Sequence, residues 1–245
     1  MKRNFNTKGY EKEYEELLDR LEKSIISAPQ HSAPLTQSNP ATPVNIIPNT
    51  DSWLIENNEY KIQLSKSLIP SATQEKQINN YITSTNSFKP ANYQELFLIG
   101  NILYQNKNTE ILNFLRESFK NNWIQTSSGV LYSPDKNDIV IHDKGLSSEQ
   151  SLETKFIGPD RYIEKNDESA LKCLTGLNNI DEIKEISQFL TDKNKTYLWR
   201  LNNKPSSDTY RVAWFSAVSD RAYLLCDRYP TDSNPALGVC VAKKI

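Results

Sequence analysis

The residues of greatest chemical reach in this chain are two histidines and three cysteines, and their spacing limits what they can do. His31 and His142 lie far apart, and Cys173, Cys226 and Cys240 are widely separated. Structural zinc sites use ligands a few residues apart, and disulfide frameworks use even counts at regular spacing. Neither pattern is met. The cysteines read as thiols without chemistry, the usual state of free cysteine. A Cys226–Cys240 disulfide stays open if the strands bearing them are neighbours. The acidic run of Asp160, Glu164, Asp167 and Glu168 offers the oxygen ligands calcium takes, but solvated loop charge is the favoured account of it. There is no Gly-x-Ser-x-Gly elbow, no phosphate-binding glycine loop and no His-rich motif. His142 joins a serine and an aspartate only on paper, as one histidine does in most proteins. The expectation is a binding protein rather than an enzyme, with no cofactor and no metal.

The more informative chemistry is in the tail. Phe215, Ala217 and Ser219 alternate with Ser216, Val218 and Asp220; further on, Ala222, Leu224 and Cys226 alternate with Tyr223, Leu225 and Asp227, with Tyr229 two beyond. A period of two places these sets on opposite faces of a strand. One set is small or apolar and suits a core. The other mixes aromatic, aliphatic, hydroxyl and acidic groups, where a solvated face would be uniformly polar. Tyr and Trp are favoured binding anchors, so this face reads as a contact surface. A strand buried on both faces is the alternative.

The elements that must position this tail follow from periodicity. Within residues 1–27, Tyr10, Tyr14, Leu17, Leu18, Leu21 and Ile25 mark an amphipathic helix. Residues 28–50 hold Pro29, Pro34, Pro40, Pro43 and Pro48 among Ser, Thr, Gln and Asn, which predicts an extended linker. Residues 51–245 read as the globular domain. Strands are expected at Trp53–Ile55 and Tyr60–Leu64, and helices over 92–104 and from a Thr109 cap to Phe119. Further strands are expected at 123–126, 130–132 and 138–142, with loop over 143–169. A third helix at 181–190, capped by Asn178 or Asn179, precedes a β-rich tail that begins at Thr196. Helices first and strands last indicate α+β rather than repeating βαβ units.

The chain has 245 residues, a net charge of −1 and 24% charged residues. A nucleic-acid binder carries a basic excess, so phosphate backbones are not the expected partner. No window approaches the ~18 apolar residues of a membrane helix, and the N-terminus is not a Sec-type signal peptide. Display on a virion or cell surface stays open, and a monomer is favoured over an oligomer.

The run Arg211-Val212, Phe215, Ala217, Ser219, Ala222, Leu224, Cys226, Pro230, Ser233 and Pro235-Ala236-Leu237-Gly238-Val239 resembles the C-terminal variable region of proteins diversified by retroelements, in the archaeal or archaeal-virus group. Thr196 to Asn202 and Lys204-Pro205 are similar to that group's lead-in. The likeness covers most of residues 90–245 and leaves the first 50 unexplained. It implies an α+β, C-type-lectin-like domain built of small, mainly antiparallel sheets with two or three helices. It also implies a variable region of about 210–244, rewritten by a reverse transcriptase that errs at template adenines. AAC codons so rewritten reach Ser216, Val218, Asp220, Tyr223, Leu225, Asp227, Tyr229, Asp232 and Asn234, and an AGG codon reaches Trp214. These ten are the expected ligand-binding residues, and a protein or cell-surface ligand is the expected partner. Cys240 departs from the arginine of the usual Gly-Val-Arg-Val-Ala ending. Three other roles stay open. One is a structural viral fibre or baseplate part. Another is a fixed-ligand lectin, although the calcium-lectin tripeptides Glu-Pro-Asn, Gln-Pro-Asp and Trp-Asn-Asp do not occur. The third is an enzyme like the formylglycine-generating proteins.

Overall fold

A computed structural model describes residues 44–57, 59–83, 87–143, 146, 149–151, 168–200 and 205–243. The helix expected within 1–27 lies outside them, as does the start of the proline-rich segment. The described chain is a mixed α+β domain. Its strands are β1 (Asn45–Pro48), β2 (Ser52–Glu56), β3 (Tyr60–Ala72), β4 (Lys89–Pro90), β5 (Ile124–Tyr132), β6 (Ile139–His142), β7 (Glu149–Ser151), β8 (Lys195–Arg200), β9 (Thr209–Val218), β10 (Arg221–Arg228) and β11 (Asn234–Lys243). The helices are α1 (Gln74–Ile82), α2 (Tyr93–Asn106), α3 (Thr109–Asn121), α4 (Glu168–Thr175) and α5 (Ile180–Thr191).

In place of the expected small sheets, the strands join in one eleven-stranded sheet. The main path runs β1-β2-β3-β11-β5-β9-β10-β8, with β4 on β11 and β6 and β7 branching from β5. Pairing is antiparallel except for β10 with β8 and a single β11–β5 contact. The last strand therefore lies between β3 and β5, so the two ends of the domain hold each other in register. The sheet begins earlier than the composition indicates. Asn45–Pro48 pairs with Trp53–Glu56, inside the span read as linker. Pro48 is tolerated because β1 is an edge strand, where the missing donor faces away from the ladder.

The helix caps explain the boundaries. Asn92 opens α2 with a capping box: its side chain accepts from Glu95 N, and the Glu95 carboxylate accepts from Asn92 N. The cap of α3 is Asn108, whose side chain accepts from Ile111 N, so the predicted Thr109 is already helical. Asn179 caps α5. Two helices were not expected. Thr73 caps α1, a short helix whose buried residues are Gln74, Gln77 and Ile78, so it shows little apolar periodicity. The helix α4 starts inside the span read as loop, which also contains β7.

Helices α2 to α5 pack with the inner face of β9, β10 and β8 in one core. Phe119 meets Phe215 edge-on at 4.5 Å, and Ala217, Ala222, Leu224, Cys226 and Leu198 are buried beside them. Gly100 lets α2 and α5 touch: a Cβ there would sit 2.7 Å from Ile186 Cγ2 and 2.9 Å from Leu190 Cδ1. No helix among the described residues is long and apolar enough to cross a membrane.

Candidate functional site

The hairpin β9–β10 carries the site. Its turn is two residues long, with Val218 opposite Arg221 and Ser219 at φ 55°. Tight hairpins need positive φ there to match the twist of the strands. Ser219, expected on the core face, therefore sits exposed in the turn. The turn also sets the phase of the outward face. Val218 lies opposite Arg221, Ser216 opposite Tyr223, and Trp214 opposite Leu225. On the neighbouring parallel strand, Lys195 lies beside Arg221 and Tyr197 beside Tyr223.

These side chains form a depression of about 460 Å³ lined by Trp123, Trp214, Ser216, Val218, Ser219, Asp220, Arg221, Tyr223 and Leu225. That volume is within the range of small-ligand sites, roughly 300–1,000 Å³. Six of the ten sequence-predicted binding residues meet here. They do not form a flat exposed face. Trp214, Ser216 and Leu225 are buried, with the Trp123 ring packed beside that of Trp214. Val218 (47% exposed), Asp220 and Tyr223 form the rim.

The walls are braced. Arg228 stacks on Trp123 with its guanidinium carbon 4.0 Å from the ring centre, and lies 4.8 Å from that of Trp214. The two indoles are themselves 5.5 Å apart. Trp214 Nε1 donates to Asp227 Oδ1 at 2.8 Å, which fixes the ring plane. Asp227 sits at a bulge between Cys226 and Arg228, a device that re-aims a side chain. Burial raises the Asp227 carboxyl above its ordinary value, against the opposing pull of the Trp214 N–H, Arg228 and Arg211. Tyr197 and Tyr223 stack at 5.7 Å. At the rim Asp220 meets Lys195 Nζ at 3.0 Å and Arg221 Nε at 3.3 Å. The hydrogen bond from Lys195 leads the causes that lower its carboxyl.

From behind, Tyr93 at the start of α2 donates its hydroxyl to Trp214 O at 2.6 Å and Leu225 O at 3.0 Å, bridging the two strands. Burial pushes that phenol well above its ordinary value.

The other predicted residues lie outside the depression. Asp227 supports Trp214. Tyr229, 59% exposed, lies over Arg211 at 4.3 Å, and Asp232 approaches Arg228 Nη1 at 3.5 Å. Asn234 lines a neighbouring depression of about 260 Å³ with Ser71, Asn121, Asn122 and Ser233. Trp123, Arg221 and Arg228 were missed by the sequence reading. Arg221 was within reach of it, being in phase with Tyr223. Trp123 comes from β5's approach and only pairing places it.

A second polar constellation lies deep in the core. Ser128 Oγ donates to His142 Nδ1 at 2.7 Å, because Nε2–H must donate to Cys173 O at 2.8 Å. Tyr93 N–H in turn donates to Ser128 Oγ at 2.9 Å. This resembles a nucleophile–base pair, but both side chains are buried and every atom of the chain of bonds is used structurally. Burial lowers the His142 imidazole and pushes the Cys173 thiol up to about 12. Nearby, Lys89 Nζ binds Glu95 at 2.6 Å and Asp143 at 2.8 Å, while Asn92 and Ser127 also bind Asp143. Burial would lower Lys89, yet the two carboxylates hold it above its ordinary value. Cys226 and Cys240 are on non-adjacent strands, so the disulfide left open by the sequence does not form. Among the described residues no cluster of three His, Cys, Asp or Glu could hold a metal ion. Asp160, Glu164 and Asp167 lie outside them, and Glu168 is exposed at the start of α4.

No protein family, curated protein or solved structure matches the chain.

Proposed function

We propose that this chain is a ligand-binding protein, a C-type-lectin-like domain whose C-terminal hairpin face is varied by a diversity-generating retroelement. The observation that carries this reading is convergence. Trp214, Ser216, Val218, Asp220, Tyr223 and Leu225 line one depression, while the interleaved Phe215, Ala217, Ala222, Leu224 and Cys226 lie in the core. An arrangement of this kind lets one set of side chains change while the other keeps the backbone fixed, and a rigid platform lowers the ordering cost of binding. The mainly antiparallel sheet with helices on the opposite side of the hairpin supports the lectin-like class. The mixed chemistry of the face favours a protein ligand, and the net charge of −1 disfavours nucleic acid.

Sequencing the DNA around the gene tests the reading. A reverse-transcriptase gene and a near-copy of the segment encoding Tyr210 to Lys244 are expected. Differences should fall at adenines in the codons of the ten residues and spare those of Phe215, Ala217, Ala222, Leu224 and Cys226. A locus with neither gene nor copy sinks the diversification reading.

A further inference from the structure

We infer that the depression on the β9–β10 face is an anchor pocket for a tyrosine side chain presented by a protein ligand. The inference rests on the ligand-binding reading above and names what the site grips. Its central observation is Ser216. The residue is 1% exposed and lines the depression, and its Oγ, shielded from solvent, has no hydrogen-bond partner among the described residues. A buried unsatisfied hydroxyl is unfavourable in the empty protein and becomes favourable when rotation about χ1 turns it to a ligand that supplies the missing bond. The walls state what else the ligand must be. Trp123, Trp214 and Tyr223 present aromatic surface, and Val218 and Leu225 add aliphatic surface. Such walls take a flat apolar body by offset or edge contacts.

The charge balance completes the description. Asp220 is matched by Lys195 and Arg221 at the exposed rim, and Asp227 is held by Trp214 Nε1, so both carboxylates already have partners and the surplus positive charge lies at the rim rather than beside Ser216. A neutral flat ring with one hydroxyl at its far end satisfies all three conditions. A phenylalanine would leave Ser216 unsatisfied. A sugar would bring several hydroxyls to a lining in which, among the described residues, Ser216 Oγ is the one buried polar atom left unpaired. Tyrosine is moreover a common interface anchor, because it carries large area at small entropic cost.

The test uses the full chain and side-chain analogues, followed through backbone amide shifts of Ser216, Tyr223 and Leu225. p-Cresol stands for tyrosine, toluene for phenylalanine and methyl α-D-mannopyranoside for a sugar. p-Cresol is expected to bind with Kd on the order of 1 mM, about tenfold tighter than toluene. Ser216→Ala should erase that advantage, leaving the two equal. Leu225→Ala should weaken both alike, which shows that the pocket is the site. Equal binding of p-cresol and toluene to the parent overturns the inference, as does no binding of p-cresol at ten times that concentration. Mannoside shifting these amides in preference to p-cresol also overturns it. The outcome is separable from that of the flanking DNA. A locus with template and transcriptase but a pocket indifferent to p-cresol keeps the diversified binder and loses the tyrosine anchor.

Discussion

At the scale of single residues, the unsatisfied Ser216 and the satisfied His142 make opposite statements about what burial is for. Ser216 Oγ is sealed in the site without a partner among the described residues, so its hydroxyl is carried at a loss until something binds. Ser216→Ala is therefore expected to raise unfolding free energy by about 1 kcal/mol, read from the denaturant midpoint, while degrading the pocket. A lower midpoint would mean that the hydroxyl has a partner in the free protein. His142 spends both ring nitrogens on Ser128 and the Cys173 carbonyl, and burial lowers its proton affinity below the ordinary 6.5. The folded chain thus keeps the ring neutral where the unfolded chain would take a proton. Its contribution is present above pH 6.5 and lost as pH falls from there toward the lowered folded value. The loss is at most ~1.4 kcal/mol per pH unit. Glu95, raised by burial, works with the opposite sign above its ordinary 4.5, so the parent must be compared with His142→Gln at each pH. Urea midpoints at several pH values between 7.5 and 5.5 should converge as acidity rises, and parallel curves would remove His142 from the account.

At the scale of elements, what the sequence made legible was what periodicity and caps encode. The helices at 93–106, 109–121 and 180–191 and the strands around Phe215 and Leu224 repeat apolar residues at the spacing their geometry demands. The strand β5 was legible only at its ends. Thr126, Ser127 and Ser128 break its apolar run, because they are satisfied by side chains that no local pattern reveals. Gln74 Nε2 donates to the Thr126 and Ser128 carbonyls at 2.9 Å each, and Tyr210 Oη donates to Gln74 Oε1 at 2.8 Å. That bond places the Tyr210 ring against Gly129, where an added Cβ would fall 2.1 Å from the hydroxyl oxygen. Gly129→Ala should consequently destabilise by about 1–3 kcal/mol, the usual effect of overpacking, and thermal melts of the two proteins will measure it. The hairpin turn makes the converse case. Ser219 holds φ 55° without the freedom of glycine, so Ser219→Gly should stabilise by roughly 0.5–1 kcal/mol through relief of strain. An unchanged or lowered melting temperature would show that the serine side chain contributes to the turn. The same phase slip at Ser219 and Asp220 explains why Arg221, rather than Asp220, stands directly across from Val218.

At the scale of the whole molecule, the site is stabilised by pieces far from it in sequence, and that is why only its hairpin could be read in advance. Trp123 arrives from the residue just before β5, Lys195 and Tyr197 from β8, and Tyr93 reaches two site carbonyls from α2. The sheet extends from β9 through β5, β11, β3 and β2 to the edge strand β1, which the proline count had assigned to a linker. The N-terminal limit of the domain can therefore be set by experiment. Removing residues 1–43 keeps every described strand, whereas removing 1–50 strips β1, its four pairs with β2 and the packing of Val44 and Ile46 on the core. Two partly buried aliphatic side chains and a short ladder, offset by the entropy of ordering an edge segment, amount to about 1–3 kcal/mol. The longer truncation should lose that much relative to the shorter, with a smaller denaturant slope because less surface is exposed on unfolding. Equal midpoints for the two truncated chains would mean that β1 rests on the sheet without stabilising it. The domain would then begin at β2, as the proline-rich composition implies.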